Sequence, residues 1–108
     1  MLAKKRKNSE VALPRNPKSS RQIEKHIKGV ANHRRIEILF LIADNRGITV
    51  DEIARKIKCN VKTASDHIIR LTQAGLIRKS NRANRVSHEL SPYGQIFYKF
   101  LNTFRNLK

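Results

Sequence analysis

The chain has 108 residues, 24 of them Lys or Arg and 8 Asp or Glu, for a formal charge of +16. That length suits one domain with a tail, and 39% hydrophobic residues supply a modest core. No apolar run nears the ~18 residues of a bilayer span, and the basic start MLAKKRKNSE lacks the apolar stretch of a secretory signal.

The single cysteine, Cys59, forms no internal disulfide, which fits a reducing compartment. The charge has two parts. Residues 1–21 carry seven basic side chains against Glu10, about +6, and residues 22–108 carry 17 against 7, or +10. An excess of this size calls for a polyanion: nucleic acid first, an anionic membrane surface second.

Residues 1–18 read as a disordered basic arm, with Pro14, Pro17 and a charge run but little to bury. Residues 19–108 read as the folded domain. A first helix starts at the Ser19-Ser20 cap, with Ile23, Ile27 and Val30 on one stripe and Gly29 weakening its end. A second runs from about Asn32 to Asp44. The apolar run from Ile38 to Ala43 leaves its second half almost no polar face, so it belongs mid-core. Gly47 ends it.

Ile48 reads as a very short strand. Thr49 and Glu52 form a capping box for a third, short helix with Ile53, Ala54 and Ile57 inward. Asn60 caps a fourth helix, 60–74, with Ala64, Ile68 and Leu71 inward and Gly75 as its stop. Then the period changes. Leu76–Ser80 and Arg85–Leu90 flank the polar tip Asn81-Arg82-Ala83-Asn84, and Val86, His88 and Leu90 alternate with Arg85, Ser87 and Glu89. Ser91-Pro92 opens a last helix bearing Ile96, Phe97, Phe100, Leu101 and Phe104 on one apolar face.

The predicted fold class is therefore mainly α with a small β-hairpin. The order is helix, helix, short strand, helix, helix, hairpin, helix. Two short helices joined by a tight turn and followed by a basic hairpin are the layout of a winged helix-turn-helix. A helix about 10 Å across fits the major groove of B-DNA. Its free N-terminal N–H groups favour phosphate. The candidate DNA contacts are Asn60, Lys62, Thr63, Ser65, His67 and Arg70 on the fourth helix, and Arg78, Lys79, Arg82, Asn84 and Arg85 on the wing. The wing cations have a second reading, as charges that keep a hairpin edge from aggregating. Arg34 and Arg35 are read either as backbone contacts or as partners of Glu37 or Asp51.

The runs Ala31–Leu39, Val50–Ala54, Lys62–Ile68 and Leu71–Ile77 resemble ArsR-type winged-helix regulators, and Glu89–Gly94 resembles the MarR-type wing exit. The resemblance spans about residues 30–94. It implies a prokaryotic, cytoplasmic, nucleoid-associated transcription regulator, repressor-like, acting as a homodimer on an inverted-repeat operator. The position of Asp66 in such families is often Arg or another donor. An Asp there repels phosphate and can accept only from a cytosine N4, so it is left out of the contact set.

Dimerisation is expected through Ile23 and Ile27 of the first helix with Phe97, Phe100, Leu101 and Phe104 of the last, which buries two half-covered stripes. Metal-sensing ArsR-type relatives carry a Cys-x-Cys on the third helix or a His/Asp set on the last. Here Cys59 stands alone, and no His, Asp, Glu or Cys lies between Pro92 and Lys108. No metal, cofactor or catalytic constellation is expected, and no small-molecule effector is legible. The main competing reading is a sequence-independent nucleoid protein, motivated by the charge and Lys4–Lys7. An RNA-binding winged helix ranks behind both, since only Tyr93 and Tyr98 offer stacking rings.

Overall fold

Ser19 opens the first helix, α1 (Ser20–Val30), in the computed structural model, which describes residues 16–82 and 85–108. The cap is reciprocal: Ser19 Oγ accepts from the Gln22 N–H, and Gln22 Oε1 accepts from the Ser19 N–H at 2.7 Å. Most of the basic arm, residues 1–15, lies outside the described residues. Asn32 caps α2 (His33–Asp44), its side chain accepting from the Arg34 and Arg35 N–H groups. Thr49 and Glu52 form the expected box at α3 (Val50–Ile57), and Lys58 ends it in the left-handed region at φ 59°. Asn60 caps α4 (Val61–Gln73) by accepting from the Thr63 N–H at 2.7 Å. Ser91 caps α5 (Pro92–Arg105), with Pro92 in the first turn.

The core is built from Ile38, Leu39 and Ile42 of α2, Ile53, Ala54 and Ile57 of α3, and Ala64, Ile68 and Leu71 of α4. Leu76, Ile77 and Leu90 close it beneath the hairpin. α2 packs against α3, α4, α5 and the hairpin, the central place its apolar second half demands. This three-helix nest fixes α4 by its inward stripe and leaves the opposite side of that helix to solvent.

The hairpin pairs β1 (Ile77–Arg82) with β2 (Arg85–Leu90), from Ile77 opposite Leu90 to Arg82 opposite Arg85. Pairing thus runs two residues farther than the predicted end at Ser80. Asn84 and the side chain of Arg82 fall outside the described residues. Ile48 is a lone bridge to His88 and not a strand, because the α3 cap begins at the next residue and leaves no room to extend it.

The strict alternation in β2 fails near the tip. Val86 is exposed and Ser87 is buried. The outer hairpin projects past the core, so Val86 meets no packing surface. Ser87 is satisfied where it lies, its Oγ donating to the Ser80 carbonyl at 2.9 Å.

Gly29 does not merely weaken α1. A Cβ built there would lie 2.1 Å from the Cβ of Ala74, so its absence lets α1 close onto the end of α4. Cys59 is half-buried, with its thiol toward the Asn60 carbonyl.

His88 is buried beneath the hairpin, and its Nδ1 has no hydrogen-bond partner among the described residues. Burial pulls its pKa below the ordinary histidine value; a backbone hydrogen bond with Ile48 opposes this and Lys79 assists it. The folded chain therefore resists protonation that the unfolded chain accepts. Stability should be level above about pH 6.5 and fall as acid is added, until folded His88 itself takes a proton. Half-buried His67 shifts in the same direction. Melting temperatures between pH 5 and 8 should slope less for His88→Leu than for the parent chain. Parallel slopes would remove His88 as a cause.

Candidate nucleic-acid interface

At about 100° per residue, Lys62, Asp66, Ile69 and Gln73 share a sector of α4 roughly 60° wide, opposite its core stripe. All four are exposed, Ile69 by 51%. Thr63 and Arg70 lie on one flank and are exposed, with half-buried His67 between that flank and the core. Ser65 lies on the other flank, half-buried. The expected contacts thus do not form one face: Lys62 is central, and Thr63, His67 and Arg70 stand to one side. Ile69 was not singled out because an isoleucine in a helix reads as core, yet it faces solvent. Asp66 is exposed at the edge of that sector nearest Thr63 and Arg70. Asn60 spends its side-chain oxygen on the helix cap.

His67 is held from α2. Arg35 Nη1 lies 3.3 Å from His67 Nδ1, and Arg35 Nε donates to the Gly29 carbonyl at 2.6 Å. Burial first, then Arg35, holds the His67 pKa below the ordinary value, with Asp66 opposing. Burial and nearby Arg70 act on Arg35 in the same downward sense. Arg34 pairs with Glu37 at 3.3 Å and also donates to the Ile57 carbonyl at the end of α3. Of the alternatives left open for these two arginines, Glu37 is a partner of Arg34, and the carbonyl ends of α1 and α3 are added.

On the wing, Lys79 is exposed. Arg78 bonds Glu89 at 2.7 Å, and Arg85 meets Glu52 of α3 at 3.4 Å. Exposed pairs of this kind are worth about 0–1 kcal/mol, so either arginine can transfer to a phosphate at small cost. Arg85 also lines a cleft of about 660 Å³ with Arg46, Arg55 and Lys56, against the one carboxylate of Glu52. The hydrogen bond with the Thr49 backbone, then that with its hydroxyl, holds Glu52 below the usual carboxylate range. Arg46, Arg55 and Lys56 were missed by sequence reasoning. Arg46 sits in the turn after α2 and Arg55-Lys56 on α3, and only the fold draws them to Arg85.

The apolar face of α5 divides. Phe97 and Leu101 are half-buried against the chain's own core, while Ile96, Phe100 and Phe104 are 62–64% exposed. Phe97 and Leu101 are therefore core residues at least in part, since both pack against the buried cluster. Ile23 and Ile27 are exposed by 44% and 48%. Among the described residues, no His, Cys, Asp and Glu side chains gather in a metal-holding group, and no helix is long and apolar enough to cross a membrane.

A helix pair set by a three-helix core, with a cationic hairpin after it, defines a winged helix-turn-helix domain. The MarR family model matches residues 31–84, half of the chain, and the chain belongs to that family. The transcriptional activator HlyU of Vibrio cholerae is 28% identical over 85 residues, 79% of this chain and 78% of that protein. The solved structure of HlyU from Vibrio cholerae N16961 superposes with a TM-score of 0.70 at 26% identity, covering 79% of this chain and 92% of that one. The homodimeric winged helix-turn-helix DNA-binding domain of Mb0332 from Mycobacterium bovis gives 0.70 at 24% identity, over 82% and 88% of the two chains.

Proposed function

We propose that this chain is a sequence-specific transcription regulator that binds double-stranded DNA as a homodimer. α4 enters the major groove, the wing lies along the backbone or minor groove, and residues 19–108 act as one domain. The observation that carries this reading is the polar, solvent-facing sector of α4 around Lys62, set on a rigid core and flanked by cations. The kinship to HlyU, an activator by name, supports the regulatory role. A bound dimer can block a promoter or displace another bound protein, so one grip serves repression or activation.

No catalysis is assigned. The likeness to transcription regulators supports a non-enzymatic role in the cytoplasm, beside the nucleoid. The DNA-contact residues proposed are Lys62, Thr63, Ser65, His67, Arg70, Arg78, Lys79 and Arg85, with Asn60 acting through the cap and Arg82 and Asn84 at the wing tip. Arg46, Arg55, Lys56 and Ile69 join them on position alone.

Selection of bound sequences from a random duplex pool tests the reading. An inverted repeat should emerge, with half-sites about 10 base pairs apart or a multiple of that. Lys62→Ala or Thr63→Ala should then lower discrimination between the selected duplex and random DNA by roughly 1–3 kcal/mol with little change in melting temperature. Absence of any enriched sequence, with a steep salt dependence, would favour the nucleoid-protein reading instead.

A further inference from the structure

His67 has one ring nitrogen already committed. Arginine offers five donors and no acceptor, so the Arg35 Nη1 that lies 3.3 Å from His67 Nδ1 can only donate to it. Nδ1 must then be unprotonated, and the ring proton sits on Nε2. From this geometry we infer that Arg35 is a positioning residue that presents His67 Nε2–H as a neutral donor to a DNA phosphate at the wall of the major groove. The inference deepens the proposed function and rests on α4 as the helix that enters the groove.

Position decides for phosphate over base. The middle of the exposed sector of α4 belongs to Lys62, Asp66, Ile69 and Gln73, and base edges are reached from there. His67 lies roughly 130° away from that centre, toward α1 and α2, where a groove-bound helix faces the sugar-phosphate wall. Its surroundings are cationic: Arg34 and Arg35 from α2 and Arg70 from α4 face it, with Asp66 the one carboxylate. Lys25 and Lys28 of α1 line the adjoining groove with Arg35 and Arg70. Such a wall attracts phosphate. It also disfavours a further positive charge on the imidazole, in line with the lowered pKa. Arg35 is anchored independently, since its Nε holds the Gly29 carbonyl at 2.6 Å. The guanidinium thus fixes ring orientation and tautomer together.

The test has two arms. In the free chain near pH 7.5, ¹⁵N shifts of the His67 ring should show a pyridine-type Nδ1 and a pyrrole-type Nε2. Arg35→Met should average the two. A protonated Nδ1 in the parent chain would overturn the inference, and this reading does not depend on the folding of any variant. In the second arm, His67→Ala should weaken binding to the selected duplex and to random duplex by the same factor, roughly five- to tenfold, leaving their ratio unchanged. His67→Gln, whose amide nitrogen can stand near Nε2, should restore binding, and His67→Asn should not. Unchanged affinity in His67→Ala, or a changed ratio, would overturn the phosphate contact. Failure of the parent chain to bind duplex at all would instead sink the proposed function and leave the ring tautomer as measured.

Discussion

Phe100→Asp combined with Phe104→Asp is expected to yield a folded monomer that binds an inverted-repeat duplex roughly 10²- to 10⁴-fold more weakly than the parent chain. Both rings are more than 60% exposed and stack on each other with centroids 6.0 Å apart. Neither belongs to the core of its own chain, so their loss should cost the monomer little. In water they form an apolar ridge on α5 with exposed Ile96. We propose that a two-fold axis through α5 buries the ridge against its copy. On that proposal the axis would also set two α4 helices at a fixed spacing, so that the second half-site is bound at high effective concentration. Sedimentation and duplex titration of the double variant check both parts. A variant that stays dimeric would place the interface elsewhere.

Leu71→Ala acts through the opposite side of the same machine. Leu71 is fully buried and anchors the C-terminal half of α4 to the core. Truncation should cost about 2–5 kcal/mol, a large share of the ~5–15 kcal/mol that holds a domain of this size. Denaturant unfolding should register the whole loss. Duplex binding by the fraction still folded should change far less, because no contacting side chain is removed. Lys62→Ala has the reverse signature, with stability kept and discrimination lost. The two variants together separate the helix as a scaffold from the helix as a reader.

Much of this architecture was legible because local rules and the global fold agree. Ser19, Asn32, Thr49, Asn60 and Ser91 each open a helix, and each has a side chain whose oxygen can reach the free N–H groups there. The inward stripes of α3 and α4 follow from a period of 3.6. What escaped depended on packing between distant segments. Val86 sits outside because the hairpin outruns the core, which no alternation rule contains. Gly29 reads as a weak helix residue, and only its meeting with Ala74 shows why it lacks a side chain.

The site was legible as a helix but not as a face. Sequence spacing separates the core stripe of α4 from the rest, yet it does not say that Arg35 of α2 reaches across to the half-buried His67. Nor does it bring Arg46, Arg55 and Lys56 to Arg85, since these lie on different elements. The aromatic face of α5 was read as one surface. The fold divides it, turning Phe97 and Leu101 toward the core and leaving Phe100 and Phe104 outside.

Backbone amide shifts, followed while the full chain is titrated with its selected duplex, report most directly on whether α4 meets the DNA. The largest changes should cluster in residues 60–70 and in the wing from Arg78 to Val86, with α5 nearly still. Changes confined to α1 and α5, with the amides of α4 unmoved at saturation, would contradict the account.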